Sequence, residues 1–172
     1  MERSELLADS GCLPWLRVLQ ASTRVTQRIE HVLETRCDLS LAWYEVLFRL
    51  TSTLDGRLRM QDLARAVWLS NSGLTRLVSK METVGLVERQ LDLTDRRFTY
   101  AVITAAGKQA HQRAHPIYLH AVTEYFSRHL TADDAETLRR ILEQVIRANG
   151  DIPLGSADPA NQSNSESRDC EL

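Results

Sequence analysis

From Ser70 to Gly85 the apolar residues recur at every third and fourth position. With about 100° between successive residues, Leu74, Leu77, Val78 and Met81 fall within one arc, with Val84 at its edge. Ser72, Thr75, Arg76, Ser79 and Thr83 fall on the opposite side. The pattern predicts a helix of about fourteen residues, roughly 21 Å long, capped at its start by Ser70 and ended by Gly85 in a left-handed conformation. A shorter helix precedes it over Met60–Val67, with Leu63, Ala64 and Val67 inward, and Trp68-Leu69-Ser70 forms a three-residue connection. The small Ala64 lets the two helices cross closely. After Gly85 the period changes to two. Val87, Arg89 and Leu91 alternate with Glu88 and Gln90, and Phe98–Ile103 is rich in β-branched and aromatic residues. Two strands therefore flank the polar tip Asp92-Leu93-Thr94-Asp95-Arg96-Arg97.

Helix, turn, helix and hairpin in unbroken order over about residues 57–103 make a winged helix-turn-helix. Residues 57–60 can be a third strand beside the wing or a simple connection. Upstream, Trp15, Val18, Leu19, Val25, Ile29, Val32 and Leu33 mark a long helix ending near Cys37. Asp38 and Ser40 offer start signals for another through Leu50, in which Leu41, Tyr44, Leu47 and Phe48 share a buried side and Trp43 and Glu45 fall outside it. Past Gly107 a helix carries Ala110, Ala114, Ile117, Tyr118, Ala121, Val122, Tyr125 and Phe126 on one side, with a kink expected at Pro116. A final helix opens at Thr131, bears the stripe Leu138, Ile141, Leu142, Val145 and Ile146, and ends at Asn149-Gly150. The fold class is mainly α with a small β-wing. Residues 1–11 form a frayed arm, 12–150 the folded domain, and 151–172 an acidic tail of net charge −4, expected to be disordered. The first and last helices carry more apolar surface than a small winged-helix core can cover, so they are expected to pair two chains: residues 12–37 and 105–149 are the dimerisation helices of a homodimer.

A buried stripe backed by short hydrogen-bonding side chains and an Arg suits a helix that enters a DNA major groove. Ser72, Thr75, Arg76 and Ser79 are the candidates for base edges, and Asn71 and Lys80 for phosphates. On the wing, Arg89 and the adjacent Arg96 and Arg97 are the candidate cations, the last two suited to the narrow minor groove. A net charge of −2 over 172 residues hides an asymmetry. Residues 57–97 hold eight Lys or Arg against five acids, a net of +3, so the remainder sums to −5. Positive charge gathered on the reading module focuses attraction to phosphate on one face. The 43% hydrophobic and 26% charged composition is that of an ordinary globular chain. No apolar run approaches the ~18 residues of a membrane span and no charged start leads into an apolar leader, so a cytoplasmic, nucleoid-associated protein without a membrane partner is expected.

These residues resemble the MarR family of bacterial transcription regulators. The resemblance covers about residues 12–148. It rests on Leu63-Ala64, the run Ser72-Gly73-Leu74-Thr75-Arg76-Leu77-Val78, the exit Gly85-Leu86-Val87-Glu88-Arg89, and Asp95-Arg96-Arg97 leading to Thr104-Ala105-Ala106-Gly107. It implies a dimeric regulator, in most cases a repressor, that binds double-stranded DNA at an inverted repeat. In the family the wing Asp holds the Arg two residues on, which carries over to Asp95 orienting Arg97. With Arg96 also basic, either arginine can be the one inserted. A small-molecule effector bound between reading module and dimer helices is also implied, for which Trp15, Trp43 and Tyr44 are the candidate contacts, although aromatic residues in helices are more often core.

Three other readings compete. Cys12 invites comparison with cysteine-based redox sensors of the family, but anchoring on Ala21-Ser22-Thr23-Arg24 places the sensing position on Leu16. Cys12, Cys37 and Cys170 lack metal or disulfide spacing, so reduced thiols are expected. His111 and His115, four apart with His120 near, suggest a metal site only weakly, because no acidic or cysteine ligand adjoins them; a solvated histidine pair is the expectation, with no metal and no cofactor. The chain has no phosphate loop, Gly-x-Gly-x-x-Gly, nucleophile elbow or His-Glu-x-x-His, so it is read as a non-enzyme. A winged helix used as a protein-interaction module is the remaining alternative, one that does not call for base-facing Ser, Thr and Arg beside two wing arginines.

Overall fold

The computed structural model describes residues 12–92, 95 and 98–149. Its elements run α1 (Cys12–Cys37), α2 (Leu41–Thr51), β1 (Arg57–Arg59), α3 (Met60–Ala66), α4 (Asn71–Thr83), β2 (Val87–Leu91), β3 (Thr99–Ile103), α5 (Ala105–Tyr125), a 3-10 turn (Ser127–His129) and α6 (Ala132–Ala148). Asp38 closes α1 in the left-handed region, at φ +53°, and Ser40 alone caps α2 by accepting from the Trp43 N–H. Asp38 is thus a stop signal and not a start. Glu30 on α1 also accepts from the Leu41 N–H at 2.8 Å, tying the two helices at their junction.

The core lies where α2, α3, α4 and α5 converge. Tyr44, Leu47 and Leu50 from α2 meet Leu63 from α3, Leu74, Val78 and Met81 from α4, and Ala110 and Ala114 from α5. Val46 is also fully buried, so α2 hides a wider arc than its expected stripe, and Trp43 packs half-buried against the core where the pattern placed it outside.

β1 is a strand: it pairs antiparallel with β3, which pairs antiparallel with β2, in the order β1-β3-β2. The register sets Arg59 opposite Tyr100 and Arg89 opposite Ala101. Gly107 explains how the wing meets α5. A Cβ there would lie 2.1 Å from the Leu86 carbonyl oxygen, so only glycine lets the start of α5 sit against the entry to β2. Thr104 completes the joint by donating to the Gly85 carbonyl and accepting from the Gly107 N–H.

The terminal helices differ from each other. The C-terminal half of α1 packs along α5 and buries Ile29 and Leu33, so α1 does have a partner inside its own chain, contrary to the sequence expectation. Its N-terminal half leaves Trp15, Val18 and Leu19 exposed. Helix α6 carries a full capping box between Thr131 and Asp134 yet buries none of its residues; Ile141, Val145 and Ile146 are exposed. Helix α5 runs unbroken through Pro116, although the proline cannot donate to Gln112. No helix among the described residues is long and apolar enough to cross a membrane.

Candidate nucleic-acid interface

Helix α4 is held from both ends. Ser70 accepts from the Gly73 N–H at 3.1 Å, satisfying a first-turn donor, and Gly85 at φ +74° turns the chain into β2. With Leu74, Val78 and Met81 buried, Asn71, Ser72, Thr75, Arg76, Ser79, Lys80 and Thr83 stand exposed on the outer face, as the pattern predicts. Three hydroxyls form a ladder along it: Thr75 donates to the Asn71 carbonyl, Ser79 to Thr75 and Thr83 to Ser79, at 2.7–3.0 Å. Their protons are taken by the helix, and the Thr75 and Thr83 oxygens remain available as acceptors. In the turn before α4, Trp68 adopts a left-handed φ of +56° and its ring is exposed, which brings α3 and α4 together in the crossing that Ala64, buried, makes possible.

Arg89 lies at the root of the wing and faces α4. One guanidinium nitrogen contacts Glu82 at 2.8 Å; another donates to the Thr75 carbonyl at 2.7 Å and to the Ser79 hydroxyl at 2.8 Å. Glu82, which the sequence places only on the helix flank, also accepts from the Arg89 N–H at 2.9 Å. Glu82 and Arg89 thus brace the wing against the reading helix.

At the far end of the hairpin, the Asp95 N–H donates to Asp92 and its carbonyl accepts from the Phe98 N–H. Arg96 and Arg97, and with them the pairing of Asp95 to Arg97, lie outside the described residues.

A further cation belongs to this face. Arg59 on β1 rests its guanidinium 4.3 Å from the centre of the Phe98 ring and donates through Nε to the Tyr100 hydroxyl at 3.2 Å. With Gln61, Thr75 and Arg89 it lines a groove of about 370 Å³ between β1, the start of α3 and the wing. Sequence reasoning left residues 57–60 between strand and connection and so did not single out Arg59; the cross-strand aromatic two residues from another was the available signal.

The candidate effector residues have three different settings: Trp15 is exposed, Trp43 half-buried and Tyr44 buried. The Tyr44 ring stacks 4.3 Å from that of Tyr118, and its hydroxyl lies 2.8 Å from His115 Nδ1. Burial above all, then the neighbouring Tyr118 and Glu45, raises its pKa. His111 and His115 are not a solvated pair. His111 is only 8% exposed, and the two rings stack on each other and on Tyr44, because α5 turns this side toward α2. No cluster of metal-ligating side chains occurs among the described residues.

The crossed helix pair, the exposed polar face of α4 and the three-stranded wing define a winged helix-turn-helix protein. The MarR family model matches residues 38–97. An uncharacterised HTH-type transcriptional regulator of Bacillus cereus is 25% identical over 135 residues, covering 78% of this chain and 88% of the relative. Among solved structures, AbsC, a MarR family regulator from Streptomyces coelicolor, superposes with a TM-score of 0.78 at 29% identity, over 83% of this chain and 96% of its own. Another Streptomyces coelicolor MarR family regulator, solved in complex with DNA, gives 0.77 at 25% identity over 81% and 87%. The family model and the superposed structures liken the chain to the MarR family, and the Bacillus relative likens it to HTH-type transcriptional regulators.

Proposed function

We propose that this protein acts as a homodimer that binds a pseudo-palindromic inverted repeat and represses transcription by occupying a promoter, with release by a small molecule. The observation that carries the reading is the division of α4, with three apolar side chains fully buried and seven polar or charged ones exposed beside a wing. Ser72, Thr75, Arg76 and Ser79 contact base edges, Asn71 and Lys80 contact phosphates, and Arg96 and Arg97 occupy the minor groove with Asp95 fixing one of them. Arg89 contributes from the wing root.

Dimerisation is supported by α6 and the first half of α1, which expose Ile141, Val145, Ile146, Trp15, Val18 and Leu19. A second copy covers these surfaces and sets two reading helices about one DNA turn apart, roughly 34 Å. Residues 12–150 form the functional unit, with 57–103 as the reading module, working in the cytoplasm on nucleoid DNA.

Selection of preferred sites from random duplexes, with sedimentation of the protein alone, tests the reading. A palindrome with half-sites one turn apart and a dimeric mass are expected. A monomer with no preference among duplexes would overturn it.

A further inference from the structure

We infer that the groove between β1, the start of α3 and the wing is a seat for a DNA phosphate, with Arg59 as its ligand. The inference rests on the DNA-binding reading above and extends it to a residue outside the reading helix and the wing tip.

Arg59 is prepared for an anion and has no ion-pair partner among the described residues. Of the five N–H donors on its guanidinium, the one on Nε is used by Tyr100. Asp92 and Asp62 act on it electrostatically. Its neighbour on the same strand contrasts with it: Arg57 is neutralised by Asp55 at 2.5 Å. Phe98, just before β3, and Tyr100 on β3 hold the Arg59 guanidinium, so little rotamer freedom remains to be lost when a phosphate is gripped.

The groove also has the right neighbours. Thr75, on the exposed face of α4, forms part of its lining, so a strand followed by the reading helix passes over its mouth. Arg89, the other cation of the lining, has its charge met by Glu82. Arg59 is therefore the cation of the groove that makes no ion pair among the described residues. A planar, stacked guanidinium with open donors matches a phosphodiester in two-point geometry. The contact carries no sequence information; it sets the height and register at which α4 enters the groove.

The test uses wild-type protein, Arg59→Gln, Arg59→Lys and Arg57→Gln. The probes are a duplex selected by the wild type from a random pool, a mixed-sequence duplex, and copies of the first in which single phosphates are replaced by neutral methylphosphonates. Arg59→Gln is expected to weaken both unmodified duplexes alike, about tenfold. It should also reduce the slope of log affinity against log salt by about 0.9. Arg57→Gln leaves that slope at the wild-type value, and Arg59→Lys keeps it with a smaller loss of affinity. One phosphate per half-site should matter to the wild type and not to Arg59→Gln. Should Arg59→Gln misfold by circular dichroism, the lysine variant and the wild-type phosphate scan still decide. An Arg59→Gln protein that keeps the slope and remains sensitive at every phosphate overturns the groove alone, provided Arg76→Ala loses the selected site. A wild type with no preference for any duplex overturns the groove and the proposed function together.

Discussion

Glu82 on the reading helix and Arg89 on the wing are joined twice, once between the charged groups at 2.8 Å and once from the Arg89 N–H to the Glu82 carboxylate at 2.9 Å. Both side chains are about 30% exposed, so water screens the pair only in part. Because the same guanidinium reaches the Thr75 carbonyl and the Ser79 hydroxyl, the angle between wing and reading helix is set by one side chain. We predict that Glu82→Gln lowers unfolding free energy by about 1–2 kcal/mol and weakens DNA binding, although Glu82 itself is placed on no DNA contact. Urea denaturation and duplex titration would check it; unchanged values in both would mean the brace is idle.

Arg76 and Lys80 stand exposed one turn apart on α4, and different roles are assigned to them. Replacing Arg76 by Ala should cost about 1–3 kcal/mol on the selected site and relax sequence preference there. Replacing Lys80 by Ala should weaken all sequences equally and flatten the salt slope by about 1. Equal losses on selected and mixed-sequence DNA for both variants would contradict the assignment.

Gly107 and Gly85 differ in why they are glycine. A methyl at Gly107 meets a backbone carbonyl, whereas one at Gly85 meets nothing within 4 Å but sits at φ +74°. Gly107→Ala should therefore cost about 1–3 kcal/mol by displacing α5 from the wing, against about 1–2 kcal/mol for Gly85→Ala from backbone strain alone. Thermal unfolding measures both. Increased stability of Gly107→Ala would show that α5 can shift without loss.

His111 is held below its ordinary pKa of 6.5 by burial and, secondarily, by the neighbouring His115. The folded chain keeps this ring neutral while the unfolded chain protonates it, so unfolding takes up protons below about pH 6.5. Stability is therefore expected to fall as pH drops through that region and to level off above it. His111→Phe, which preserves the stack on Tyr44 and His115, should flatten the dependence. An equally steep decline in the variant would assign the effect to other groups.

Val145 is 53% exposed on a helix that buries none of its own residues. Val145→Glu should thus leave the fold of one chain intact by circular dichroism. In a dimer it would bury a carboxylate at a cost of several kcal/mol, raising the dissociation constant by roughly a hundredfold or more. Sedimentation at graded concentrations reads this directly, and a variant as dimeric as the wild type would place the interface elsewhere.

Local order was legible in the chain because it depends on neighbours in sequence. The apolar spacing of Leu74, Val78 and Met81, the Ser70 cap, the Gly85 exit and the change to period two at Val87 each report a constraint within a few residues, and each recurs in the structure. The outer face of α4 follows from the same periodicity, since burying one side of a helix decides the other. Contacts between distant residues were not legible in that way. Whether residues 57–59 form a strand depended on β3, more than forty positions on, and with that strand came Arg59 against Phe98 and Tyr100. The setting of His111 and His115 depended on α2 lying across α5, which turned an apparently solvated pair into a packed stack with Tyr44. Helical periodicity determines which side of an element faces inward; only the packing of elements determines which polar side chains that interior encloses, because the partners that satisfy them come from elsewhere in the chain.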